Sequence, residues 1–188
     1  MEFLLVLLGL AALVYIWYMT LIKRRNKALE ALSGIDVHYN MRFDLIPNIL
    51  KIAQKFMEHE KGLLEEVTRL RTEVQKGYNP SDKAAVSEHF GAIEALAGKM
   101  GNLMVAVENY PDLKSDQTMV QAMQTYNEVE AQIAAARRFY NASVTELNNS
   151  VQIFPGNLIA PMAGVQEMPF LEVAEEVKAP VDAGDYLK

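Results

Sequence analysis

The sequence of 188 residues contains no cysteine, which excludes disulfide bonds and thiolate metal sites. It also lacks an excess of positive charge, because 18 Lys and Arg residues stand against 24 Asp and Glu residues. A nucleic-acid partner requires a basic face, so the net charge of −6 argues against nucleic-acid binding. The chain is nevertheless 51% hydrophobic, which is enough for one folded domain and an accessory segment.

Recognisable catalytic motifs are missing as well. The three histidines are His38, His59 and His89, and none has a glutamate three residues before it, as the Glu-x-x-His pairs of di-iron bundles require. His59 and Glu60 begin like the zinc-peptidase motif HExxH, but Leu63 occupies the position of the second histidine. The sequence has neither a GxSxG elbow nor a GxGxxG turn. We therefore expect no catalytic residue, no metal site and no cofactor.

The run of residues 3–22 carries no charge and is rich in Leu, Val and Ala. Twenty helical residues span about 30 Å, the thickness of the hydrocarbon core of a bilayer. Lys23, Arg24 and further basic residues follow at once, whereas a cleaved signal peptide carries its basic residues before the apolar run. We predict a transmembrane segment over residues 1–22. The positive-inside rule places its amino terminus outside and the remaining chain in the cytoplasm.

Beyond this segment, apolar residues recur every three or four positions, as they do on one face of a helix. This spacing predicts helices over residues 23–76, 82–109 and 116–151. Three such faces of similar length, joined by short turns, predict an all-α fold in which residues 23–152 form an antiparallel up-and-down bundle. The clearest stripe comprises Ile46, Ile49, Ala53, Phe56, Glu60, Leu63, Val67, Leu70 and Val74.

Pro47 interrupts the first of these helices. A proline inside a helix removes one hydrogen bond and clashes with the preceding turn, so a kink is expected. The 3–4 spacing nevertheless stays in phase from Arg25 through Arg42 and Pro47 to Val74. This continuity favours one long, kinked helix, although Asp44 is a competent N-cap for a helix that restarts after it.

Three charged residues interrupt the apolar stripes: Glu60 in the first, and Glu130 and Arg137 in the last. A buried charge costs several kcal/mol unless it is paired, so we predict that Arg137 bridges Glu60, Glu130 or both. The neighbours that would extend this network are His59, Arg138 and Asn141. A pair that fixes the register of the helices is favoured over a catalytic site.

The helical pattern stops at residue 153. The prolines Pro155, Pro161 and Pro169 forbid a long helix, yet the segment is too apolar for a free linker. We predict an extended tail over residues 153–188 that packs on its own bundle, with contact to a neighbouring subunit or to lipid as the alternatives. Its candidate contact residues are Phe154, Leu158, Ile159 and Phe170. The mainly acidic end, Glu172–Lys188, is expected to be mobile.

Several short motifs resemble the LemA family of bacterial membrane proteins, in order from about Lys23 to beyond Phe170. The residues that carry the resemblance include Asp36; Arg42, Asp44, Pro47 and Asn48; His59; Pro111 and Asp112; Arg138, Tyr140 and Asn141; and Pro155. The resemblance implies a single-pass protein of the cytoplasmic (inner) membrane with a helical domain in the cytoplasm, and no established catalytic activity. The stretch 38–41 departs from the usual family pattern.

Two functions from different classes fit these features. The first is a non-enzymatic, membrane-anchored helical scaffold that self-associates at the cytoplasmic face, where repeated packing of tilted spans would organise or curve the membrane. The second is an adaptor or regulator of another membrane protein, such as a membrane peptidase. The expected partners are the lipid bilayer and further copies of the chain, with a membrane protein as the alternative. An enzyme ranks third.

Overall fold

The computed structural model describes residues 1–171, and every regular element in that range is a helix. The elements are α1 (Glu2–Ala53), α2 (Lys61–Val74), α3 (Lys83–Val107), α4 (Pro111–Lys114), α5 (Gln117–Gln152) and α6 (Gly156–Met162). The all-α prediction is therefore confirmed, with α3 and α5 within two residues of their predicted bounds. The predicted acidic end, Glu172–Lys188, lies outside the described residues.

The helix α1 joins the apolar amino-terminal segment to the bundle without a break. Residues 2–16 expose their side chains on every side, Trp17 is the first that is partly buried, and Leu21 is the first that is fully buried. Both α1 and α3 are long and apolar enough to cross a membrane, but α3 buries its apolar stripe in the bundle. The exposed segment of α1 is thus the one suited to lipid. The whole uncharged run of residues 3–22, whose last turn is partly covered by the bundle, reaches the thickness of a bilayer core of about 30 Å at 1.5 Å per residue.

The predicted helix over residues 23–76 is two helices in the structure. The helix α1 continues through Pro47, and the chain turns back at residues 54–60 instead. Asp44 consequently caps nothing and lies exposed within the carboxyl-terminal part of α1.

The helix α2 runs antiparallel to α1 after this turn. Met57 is buried in the turn, and Leu64 is buried where Leu63 was expected, whereas Val67, Leu70 and Val74 are buried as the stripe predicted. Near the other end of α2, the Nε atom of Arg71 donates a hydrogen bond of 2.9 Å to the carbonyl oxygen of Phe43 in α1.

The remaining helices complete an up-down-up-down bundle. The helix α3 packs on α2, with Lys99 and Glu66 paired at 3.0 Å. The helix α5 packs along α1 and forms the longest interface of the bundle, with Lys27 and Glu146 paired at 3.0 Å close to the apolar segment. This arrangement agrees with the antiparallel bundle expected from the three apolar stripes.

The tail is not extended throughout. Residues 156–162 form the short helix α6, and the chain then returns along α5 to residue 171. A Cβ atom on Gly156 would lie 1.8 Å from the carbonyl oxygen of Ser150, so α6 approaches the end of α5 more closely than any other residue would allow. Ile159 and Ala160 are buried against the bundle.

Candidate functional site

The interface between α1 and α5 contains a polar cluster centred on Arg42. The side chain of Arg42 is 1% exposed, and its Nη1 atom donates to the carboxylate of Glu130 at 2.7 Å. Its guanidinium carbon lies 5.0 Å from the ring centroid of Tyr39 and 5.8 Å from that of Phe43. Such contacts with aromatic faces stabilise a cation away from water. Within residues 1–171, its Nε and Nη2 atoms have no hydrogen-bond partner.

The pairing of charges differs from the prediction that Arg137 bridges Glu60 or Glu130. Glu130 pairs with Arg42, and the Nε atom of Arg137 donates to the hydroxyl of Tyr39 at 2.8 Å. Glu60 lies at the start of α2, because the chain breaks at residues 54–60, and it is therefore not on the α1–α5 interface. The cluster combines two guanidinium groups and one carboxylate.

The tyrosines of this cluster are held in their neutral form. Burial raises the pKa of Tyr39, although the positive charge of Arg137 acts in the opposite direction. Burial likewise raises the pKa of Tyr126 to about 12. Neutral hydroxyls in a packed interface suit a fixed hydrogen-bond network better than proton transfer near neutral pH. The arrangement therefore joins α1 to α5 through one ion pair and one hydrogen bond between side chains.

A second polar group links α1 to the loop before α3. The hydroxyl of Tyr78 donates to the carboxylate of Asp36 at 2.8 Å, and the Tyr78 ring stacks on His89 with centroids 4.1 Å apart. Burial raises the pKa of Asp36, an effect that the hydrogen bond from Tyr78 partly offsets. Burial lowers the pKa of His89. These residues border a cavity of about 160 Å³.

The substitution Asp36→Asn is expected to remove a pH dependence of stability. The raised pKa means that Asp36 stabilises the fold fully below its ordinary value of 3.8, and that this contribution is lost as the pH rises through the higher folded value. An asparagine keeps the acceptor for Tyr78 without a buried charge. Thermal unfolding in detergent should show the variant gaining stability relative to the unsubstituted chain as the pH rises. Asp44→Asn, at an exposed position of α1, is the control; parallel pH curves for D36N and the unsubstituted chain would contradict the expectation.

The helix α5 holds the returning tail through three side chains, Tyr140, Asn141 and Asn148, which together form the tail clamp. Asn148 donates to the carbonyl oxygen of Met168 at 2.9 Å and accepts from its N–H at 3.0 Å. Asn141 makes the same pair with Leu171, both at 2.9 Å. Seven helical residues advance about 10.5 Å and three extended residues about 10 Å, so the spacing of the two asparagines matches that of the tail.

Tyr140 completes the tail clamp, since its buried hydroxyl donates to the carbonyl oxygen of Pro169 at 2.9 Å. Burial raises the pKa of this hydroxyl, which keeps it a donor. Asn141 thus serves the tail rather than the predicted ion network. Asn148 was not anticipated, although its position seven residues after Asn141 is a signal for two side chains on one helix face.

The other predicted site residues are not brought together. Pro111 begins α4, Pro155 precedes α6, and Ile159 is buried, whereas the exposed residues are Asp44, Asn48, His59, Asp112, Arg138, Phe154, Leu158 and Phe170. Among the residues that the structure describes, no three His, Asp or Glu side chains are grouped so that they could hold a metal ion.

Comparison with known proteins gives one family and several relatives. The model of the LemA family matches residues 31–183. Magnetosome protein MamQ 2 of Paramagnetospirillum magneticum is 24% identical over 175 residues, which cover 82% of this chain and 64% of the relative. Magnetosome protein MamQ of Magnetospirillum gryphiswaldense is 24% identical over 158 residues, covering 73% and 58%. Protein LemA of Metamycoplasma hominis is 22% identical over 165 residues, covering 88% and 73%. The chain thus spans less than two thirds of the MamQ proteins.

Proposed function

Because the chain belongs to the LemA family, we propose that this membrane-associated helical protein is a non-enzymatic scaffold that self-associates at the cytoplasmic face of a bacterial inner membrane. The observation that carries the proposal is the continuity of α1. One helix of 52 residues contains both the exposed apolar segment and the main bundle helix. A continuous helix transmits the position and tilt of the span to the bundle, so contacts between bundles would also arrange the spans.

The basic residues that follow the apolar segment support the orientation. Lys23, Arg24, Arg25 and Lys27 lie within one and a half turns of its end, and the positive-inside rule places such clusters in the cytoplasm. We therefore propose a single span with the bundle on the cytoplasmic side. Protease added to intact cells should leave the bundle uncut, and its digestion from outside would contradict this orientation.

Self-association is proposed to use the outer side of α1. Val37 and Met41 are one helical turn apart, and each exposes about half of its side chain. Gly34 precedes Val37 by three residues on the same side and has open space around it. A short apolar row beside a glycine permits close approach of a second α1 helix.

Cysteine crosslinking in native membranes tests this surface, since the chain has no cysteine of its own. The variant Met41→Cys is expected to form a disulfide-linked dimer on mild oxidation, and Val37→Glu should abolish that dimer. Val105→Cys, at an exposed position on α3, is the matched control and should stay uncrosslinked. A monomeric mass in mild detergent at every concentration, together with no M41C dimer, would refute self-association. A dominant crosslink to another membrane protein would support the adaptor alternative.

A further inference from the structure

The corner between α5 and α6 lies level with the end of the apolar segment. Near its carboxyl end, α5 is fixed to α1, because Glu146 is bound by Lys27 at 3.0 Å and its carbonyl oxygen by Arg24 at 3.1 Å. From Glu146 to its last residue, Gln152, α5 advances about 9 Å in the direction of the apolar segment. The same distance along α1 leads from Lys27 back to Leu21. The end of α5 is thus level with the last turn of the predicted span.

The helix α6 begins at this level and packs on both α5 and α1. Leu21 belongs to the apolar run and is fully buried, and Trp17, one turn further into the run, is partly buried. The bundle therefore overlaps with the last turn of the span. In a membrane crossed by residues 3–22, this overlap places α6 at the boundary between the hydrocarbon and the headgroups.

The outer side of this corner is apolar. One side of α6 is buried against the bundle through Ile159 and Ala160. The outer side of the corner exposes more than half of each of four large side chains, which are Ile153 and Phe154 before α6 and Leu158 and Met162 on it. An exposed cluster of this kind marks a surface that contacts another apolar phase.

Charge is absent from the same stretch. Residues 147–166 are twenty consecutive residues without Asp, Glu, Lys or Arg, in a chain of which 22% is charged. A charge held in hydrocarbon is expensive, so a segment that dips into a bilayer must be free of charge, whereas a segment in water need not be. Basic residues lie beside it on α1 at the level expected for anionic headgroups: Lys23, Arg24 and Arg25.

We propose that the α5–α6 corner, residues 152–162, is inserted into the headgroup and outer acyl region of the bilayer that α1 crosses. The occupant of its apolar side is phospholipid, because the corner lies level with the end of the apolar run of α1 and, like that run, carries no charge. The corner is a second attachment that fixes the bundle at a defined height and rotation relative to the membrane. This inference needs the span of the proposed function, but it does not need the self-association.

Site-specific fluorescence in nanodiscs tests the insertion. The full chain carrying Leu158→Cys is labelled with the environment-sensitive dye NBD and placed in discs of phosphatidylcholine and phosphatidylglycerol, with or without lipids that bear a nitroxide on the upper acyl chain. We expect blue-shifted emission and loss of more than half of it with nitroxide lipid. Met162→Cys, at a second exposed position, should behave likewise. Circular dichroism confirms that each variant is folded.

Two control sites separate the possible outcomes. Val120→Cys is exposed at the opposite end of α5 and should be unaffected by nitroxide lipid, whereas Leu13→Cys, in the middle of the apolar run, should be quenched. Quenching at Leu13 but not at Leu158 and Met162 would overturn the insertion and leave the span intact. No quenching at any site would overturn both the insertion and the anchored scaffold. Blue-shifted emission at Leu158 without quenching by nitroxide lipid would mean that a second copy of the chain, and not lipid, covers this side. That result would overturn the inference.

Discussion

The substitution Glu130→Gln is expected to destabilise the bundle by about 3 kcal/mol, because it leaves a buried guanidinium without its counter-charge. The side chain of Arg42 is 1% exposed, and Glu130 is the only carboxylate paired with it in the described part of the chain. The rings of Tyr39 and Phe43 compensate only in part, since each contact contributes about 0.5 to 2 kcal/mol. Thermal or urea unfolding in detergent measures the loss.

Removing the arginine instead of the glutamate should reduce the stability of the bundle much less. In Arg42→Met, a methionine fills the space of the arginine stem, and Glu130 is left at a position where 44% of its side chain is exposed to water. A carboxylate there is readily hydrated, so we expect a loss of about 1 kcal/mol. The double variant R42M/E130Q should be close to R42M alone, because the uncompensated charge is gone.

Glu128→Gln is the control for this pair, because Glu128 is exposed on the same helix and should change stability by less than about 0.5 kcal/mol. Equal losses for E130Q and E128Q would show that the Arg42 charge is satisfied without Glu130. A large loss for R42M would show that the contacts of the arginine with Tyr39 and Phe43, rather than its charge pairing, stabilise the interface.

The features that sequence spacing predicts well are those that depend on one helix alone. In the last helix, for example, the fully buried residues Tyr140, Val144 and Leu147 follow the predicted spacing of three or four positions. The turn at residues 54–60 was missed because the segment contains neither glycine nor proline, and because apolar residues keep the 3–4 spacing across it. Its backbone hydrogen bonds are those of helical and 3₁₀ turns, so no local signal marks the reversal.

Contacts between elements depend on the levels at which two helices meet, and the lengths of the connecting segments set those levels. Spacing placed Arg42, Glu130 and Arg137 on inward faces, but it could not show that Arg42 is level with Glu130 and Tyr39 with Arg137. The reversal at residues 54–60 also changes which charges can pair, because it moves Glu60 to the start of α2 and so away from the interface between α1 and α5. The role of Asn148 could not be predicted for the same reason, because its partners are the backbone groups of Met168, which is 20 residues further along the chain and on another segment.

The substitution Asn148→Ala is expected to cost about 2 to 4 kcal/mol, because it leaves the buried N–H and C=O groups of Met168 without partners. The returning tail should loosen with it, so the amide protons of Met168 and Leu171 should exchange faster with solvent. Hydrogen exchange followed by mass spectrometry measures this local effect, and thermal unfolding measures the total.

The adjacent residue offers a matched control for the tail clamp. Asn149 is exposed, so Asn149→Ala should stay within about 0.5 kcal/mol of the unsubstituted chain. Asn148→Asp keeps the acceptor for the N–H of Met168 but turns a carboxylate oxygen towards its carbonyl oxygen. The variant should therefore be as unstable as N148A at neutral pH and regain stability as the pH falls, because protonation restores a donor. Equal exchange rates in N148A and N149A would mean that packing of the tail, and not its pairing with asparagine amides, holds it against α5.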